Sequence, residues 1–132
     1  MGFEEVSHTA DWSARIWAQD LASLFAEAAR AMNSLSGTLT GTGPRLKRPF
    51  ETESPDVESL LVAFLSELVY CQEQENVAFD GFEIKVASQR LTVEMEGAEI
   101  VSVDKAIKAV TYHQLSVTCE QGRWHARVIF DV

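Results

Sequence analysis

The C-terminal half of the chain contains two stretches of alternating apolar and polar residues, and each is interrupted by a two-residue turn. These two predicted hairpins restrict the chain to a small number of possible folds. Alternation at period two is typical of a strand that is buried on one face only. A turn at Ser88-Gln89 would bring six apolar residues onto one face of the first hairpin. The predicted pairs are Val86 opposite Leu91, Ile84 opposite Val93, and Phe82 opposite Met95.

The second hairpin turns at Gln121-Gly122, where glycine in the second position favours a type I′ turn. The same register extended along both strands predicts five further pairs: Cys119 with Trp124, Val117 with Ala126, Leu115 with Val128, His113 with Phe130, and Tyr112 with Asp131. The chain therefore ends in four antiparallel strands.

Two helices precede these hairpins. Apolar residues at spacings of three and four predict the first helix over residues 21–35, with Asp20 as its N-cap. A second apolar stripe predicts a helix from the N-cap Asp56 to about Gln74. The acidic residue Glu58 in its first turn interacts favourably with the helix dipole.

The remaining segments predict strands in the N-terminal half. Residues 3–8 form a short first strand, and alternation from Trp12 to Trp17 indicates a second. Residues 46–53 are either another strand or an exposed loop. This order predicts one α+β domain over residues 1–132, with two helices packed on one face of a mainly antiparallel sheet.

Charge and cysteine content narrow the functional classes. Eleven basic and twenty acidic residues give a net charge of −9, which argues against a broad phosphate-binding surface and fits a basic partner or a cation. No apolar run approaches the roughly 20 residues of a membrane span, and the N-terminus does not resemble a secretory signal. Cys71 and Cys119 are predicted to be reduced thiols in the core of a cytoplasmic protein.

A group of hard oxygen ligands is the first candidate site. Nucleotide loops, zinc motifs and nucleophile elbows are absent from the sequence. Asp11 follows His8 in a polar group between the first two strands, and Asp131 precedes Val132 at the end of the last strand. If these strands meet, both carboxylates and the carboxyl group of Val132 would bind Ca²⁺, Mg²⁺ or Mn²⁺. The alternative is a solvated strand end with a turn around His8.

A second polar group lies at residues 107–113. Lys108, Tyr112 and His113 have side chains suited to acid–base chemistry. Polar residues on the open face of a strand would explain them equally well.

Taken together and in order, these segments resemble the archease family over nearly the whole chain. The resemblance is carried by HTAD at residues 8–11, LLVAFLSELVY at 60–70, IKAVTYH at 107–113 and the terminal FDV. It implies a compact α+β fold and a protein that is not itself an enzyme. Archeases act with RtcB-type RNA ligases, which join tRNA halves and other RNA ends. They promote guanylylation of the ligase and its repeated turnover.

The resemblance also implies a metal site and partners. The divalent-cation site of the family corresponds to Asp11, Asp131 and the carboxyl group of Val132, where the family often has isoleucine. His8, Lys108, Tyr112 and His113 are expected as supporting residues. The expected partner is the ligase, with no direct nucleic-acid binding and no membrane. Two rival hypotheses remain: a chaperone-like modulator of an RNA methyltransferase, and a metal-dependent hydrolase acting on phosphoesters through the acidic group.

Overall fold

The computed structural model describes the backbone of residues 1–7 and 11–132, and the side chains of residues 1–5 and 12–132. Two helices and eight strands occur in this part of the chain. They are β1 (Gly2–Ser7), β2 (Asp11–Ala18), α1 (Leu21–Ser36), β3 (Leu39–Thr40), β4 (Leu46–Glu53), α2 (Val57–Glu75), β5 (Val77–Ala87), β6 (Arg90–Ser102), β7 (Ala109–Glu120) and β8 (Arg123–Asp131).

The strands form two four-stranded sheets. The first sheet has the order β1-β2-β8-β7, and in the second β6 pairs with β3, β4 and β5. Every pairing is antiparallel, which confirms the predicted α+β class with two helices. The sequence indicated a single sheet, whereas the two hairpins lie in different sheets. Each helix contacts strands of both sheets, so the core lies around the helices.

Both helices begin at the predicted residues. The carboxylate of Asp20 accepts a hydrogen bond from the Ser23 amide, and that of Asp56 accepts one from the Ser59 amide, each at 2.7 Å. The bond from Ser59 lowers the pKa of Asp56. The first helix ends at Gly37, which adopts a left-handed conformation with φ of 63°.

The first hairpin has the predicted register at all three predicted pairs. Phe82 pairs with Met95, Ile84 with Val93, and Val86 with Leu91. Residues 46–53, which the sequence left open, are strand β4 and pair with the other edge of β6.

The second hairpin has the predicted register only near its turn. Cys119 pairs with Trp124 and Val117 with Ala126, and both turn residues have positive φ, as a type I′ turn requires. Further along, the pairing shifts between Thr111 and Ser116.

The predicted partners of the two aromatic residues in β7 are therefore wrong. Ala109 pairs with Asp131 and Val110 with Phe130, in place of Tyr112 and His113. The predicted pair of Leu115 with Val128 falls inside the irregular stretch. Gln114 in this stretch has φ of 54°, which marks a local break in the strand that periodicity does not reveal.

Within the described residues, neither helix combines the length and the apolar character needed to cross a membrane.

Candidate functional site

The end of the first sheet brings the two ends of the sequence together. The backbone of Asp11, at the start of β2, lies directly opposite Asp131 near the end of β8. On the other side of β8, Ala109 pairs with Asp131, and the Lys108 amide donates a hydrogen bond of 2.7 Å to the Asp131 carbonyl oxygen. Asp131 is thus held between two neighbouring strands. His8 and the side chain of Asp11 lie outside the described residues.

Apolar neighbours fix the last strand and leave Asp131 in solvent. Phe130 is fully buried, and Val132 is half-buried and packs against the core. Asp131 between them is exposed. Alternation along the strand directs these side chains to opposite faces. The valine side chain at position 132 therefore helps to anchor the end of the strand.

The predicted supporting residues are only partly brought to this place. Lys108 lies next to Asp131 through the hydrogen bond of its backbone amide. It also lines a cleft of about 360 Å³ together with Tyr70 and Glu73. Tyr112 and His113 are exposed and belong to the irregular stretch of β7. The shift of register separates them from the position opposite Asp131.

The described side chains by themselves do not form a metal centre. Within residues 1–5 and 12–132, no group of three His, Cys, Asp or Glu side chains is close enough to hold an ion. Of the predicted carboxylate side chains, this range includes only Asp131. The backbone pairing with Asp11 brings the second predicted ligand to the same end of the sheet.

A cation that the sequence analysis missed also lies near this end. The Lys105 ammonium group is 5.6 Å from the centre of the Trp12 ring, and Trp12 directly follows Asp11. Such a contact is a cation–π interaction. No spacing rule links residues 93 positions apart, so only the folded chain reveals it.

The two cysteines differ in environment. Cys71 on α2 is buried as predicted, and burial, followed by the nearby Glu67 carboxylate, raises the pKa of its thiol to about 11. The prediction that Cys119 lies in the core is wrong, because this residue is exposed. Val117, two residues earlier on the same strand, is buried.

This difference predicts one reactive thiol in the native protein. At pH 8 a disulfide reagent is expected to modify Cys119 rapidly, whereas Cys71 stays a protonated, buried thiol. The thiolate that leaves the reagent should amount to one equivalent per protein in buffer and two in denaturant. With the variant C119S, the reagent should release no thiolate until the protein unfolds. Rapid reaction of native C119S would contradict the assignment of Cys71 as an inert core residue.

Comparisons with known proteins agree with this architecture over its full length. The model of the Archease protein family matches residues 3–132. The protein archease of Methanopyrus kandleri is 33% identical over 140 residues, covering 100% of each chain. That of Methanosarcina barkeri is 33% identical over 141 residues, covering 98% of this chain and 95% of the relative.

Two solved structures share the fold. Protein 1598 of Methanobacterium thermoautotrophicum superposes with a TM-score of 0.74 at 28% identity and 99% coverage of both chains. The structure of an archease from Thermotoga maritima, described as a possible chaperone, superposes with a TM-score of 0.71 at 21% identity, covering 98% of this chain and 96% of that one.

Proposed function

Because the chain belongs to the archease family, we propose that it is a non-enzymatic, divalent-metal-binding accessory protein that activates an RtcB-type RNA ligase in tRNA splicing and RNA repair. One observation carries this proposal: the backbone register that sets Asp11 opposite Asp131. The proposed place of action is the cytoplasm.

The chemistry of the donor groups fits a divalent cation. Directly opposite positions of an antiparallel pair have Cβ atoms about 5 Å apart, a separation at which two carboxylates can share one ion. Ca²⁺, Mg²⁺ and Mn²⁺ prefer such oxygen ligands. Asp11, Asp131 and the carboxyl group of Val132 would hold the ion, which when bound supplies a Lewis acid that polarises phosphoryl oxygens.

The position of Asp131 suits contact with a partner. Its side chain is exposed at the end of a strand whose neighbours Phe130 and Val132 pack against the core. A rigid support keeps a binding group in place, and an exposed end allows a second protein to approach it. The acidic excess of the chain, with a net charge of −9, favours a basic, nucleotide-binding partner over RNA.

A ligation assay tests the proposal. The ligase is kept limiting and receives excess RNA ends, GTP and Mn²⁺, together with wild-type protein, D131A, E83A or no addition. Glu83 is an exposed carboxylate on the second sheet and serves as the matched control. Wild type and E83A are expected to support many turnovers per ligase, whereas D131A supports about one, because one metal ligand is lost.

The same assay separates the rival roles. Equal turnover with all four additions would contradict the activator proposal. A chaperone-like role, suggested by the description of the Thermotoga maritima structure, would then come first. Melting temperatures of D131A and wild type, each with and without chelator, show whether the ion only ties the strands together. A role limited to structure requires D131A to melt at a lower temperature than wild type in the presence of the ion.

A further inference from the structure

The first sheet has an outer face that is turned away from the core. On β2, the buried Ala14 and Ile16 alternate with Arg15 and Trp17. On β8, the buried Ala126 and Val128 alternate in the same way with the half-buried His125 and Arg127. The outer face therefore carries the side chains of Arg15, Trp17, His125 and Arg127. Ser116 lies beside them, opposite Arg127 on the neighbouring strand β7.

Arginines without carboxylate partners are concentrated on this outer face. Among the described residues, four arginines make ion pairs within 4.0 Å: Arg30, Arg45, Arg48 and Arg90. The three without such a pair are Arg15, Arg123 and Arg127, and all three lie on β2 or β8 at outer-face positions. In a chain with twenty acidic and eleven basic residues, these three guanidinium groups lie on one face without a carboxylate oxygen within 4.0 Å in the described structure.

Two of these arginines face each other. Arg15 on β2 lies directly opposite Arg127 on β8. Like charges in this arrangement repel and destabilise a sheet. The Nε atom of Arg127 is also buried and has no hydrogen-bond partner among the described residues. A buried donor without a hydrogen-bond partner costs free energy.

A shallow cleft lies over this pair. It has a volume of about 230 Å³, and its polar lining consists of Arg15, Arg127, His125, Ser116, Trp17 and Glu4. Glu4 lies opposite Arg15 on β1, but no ion pair within 4.0 Å joins them in the described structure. The one carboxylate of the cleft thus leaves both guanidinium groups available.

We propose that this cleft binds a phosphate group between Arg15 and Arg127. Guanidinium groups bind phosphate oxygens through paired, charge-assisted hydrogen bonds, and an anion between two opposed arginines removes their repulsion. The overall charge of −9 repels long polyanions, so the site takes a single phosphate and not a nucleic-acid backbone. The inference does not depend on the proposed ligase activation.

The phosphate comes from one of two sources, inorganic phosphate or a mononucleotide. Trp17 lies beside Arg15 and pairs with His125, and its indole ring lies next to Gly2 of β1. A Cβ atom at position 2 would come within 2.6 Å of this ring, so glycine at this position makes room for the indole beside β1. The half-buried ring offers a surface on which a base stacks.

Calorimetric titration with inorganic phosphate and with adenosine 5′-monophosphate tests the site. R15Q and R127Q are compared with wild type, and R90Q, which removes the same charge on the second sheet, is the matched control. Circular dichroism verifies that each variant folds. Wild type and R90Q are expected to bind, and R15Q and R127Q to lose affinity by at least about tenfold, because each removes a charge-assisted contact.

A second readout separates ligand binding from a general effect of charge. Without phosphate, R15Q is expected to melt at a higher temperature than wild type, since one of two repelling charges is gone. Tighter binding of the mononucleotide than of phosphate, with the difference lost in W17L, would identify a nucleotide. Equal affinities would identify free phosphate as the ligand. The proposal would be overturned if neither probe bound to the wild type, or if R90Q lost as much affinity as R15Q and R127Q.

Discussion

Replacing Gly97 with alanine is expected to destabilise the protein by about 3 kcal/mol or more, because the added methyl group has no space. Gly97 lies on β6, the central strand of the second sheet, and pairs with Phe79 next to an irregularity in β5. A Cβ atom there would collide with the backbone carbonyl of Ala78 and lie 2.7 Å from the Cα atom of Phe79. The backbone cannot yield without breaking the pairing of the two strands.

Urea unfolding monitored by tryptophan fluorescence measures this effect. The matched control is G43A, since a Cβ atom at Gly43 meets no atom within 4 Å. This variant should unfold within about 0.5 kcal/mol of wild type. A midpoint for G97A equal to that of G43A would contradict the close approach of β5 and β6.

Truncating Phe64 to alanine is expected to cost about 3–5 kcal/mol, in the range of other large-to-small changes in protein cores. Phe64 is fully buried on α2. Its ring centre is 6.1 Å from that of Phe25 on α1 and 5.7 Å from that of Phe82 on β5, so it joins both helices to the second sheet. Its loss leaves a cavity where three elements meet.

The control for this prediction lies on the same helix. Tyr70 is 54% exposed, and Y70A should change the free energy of unfolding by less than about 1 kcal/mol. Thermal and urea unfolding of both variants give the comparison. If F64A and Y70A lost similar stability, the aromatic cluster would not be the centre of the core.

The ease of predicting each element depended on the distance over which its contacts act. The N-caps Asp20 and Asp56 and the pairs around Ser88-Gln89 were predicted correctly, because caps and tight turns involve residues close in sequence. The pairing of Tyr112 with Asp131 was wrong, because the register was extended across a break near Gln114. A strand irregularity has no period of its own, so a regular pattern conceals it.

The candidate site shows the same division. The sequence singled out Asp11 and Asp131 from their oxygen chemistry and a family resemblance, and the meeting of their strands was a condition of the hypothesis. The structure pairs β2 with β8 and sets these residues opposite each other, whereas the metal itself remains a proposal. The opposition of Arg15 and Arg127 had no sequence signal, because neither arginine belongs to a motif.

By itself the sequence determined the two helices, their caps, the two hairpin turns and the excess of acidic residues, since each of these depends on neighbours within a few positions or on composition. Only the tertiary structure decided that the hairpins lie in different sheets, that Cys119 is exposed, and that Asp131 and Arg127 on β8 lie opposite Asp11 and Arg15 on β2. Which strands pair over a long sequence separation depends on the arrangement that buries the apolar faces of all helices and strands together. No local pattern contains that information.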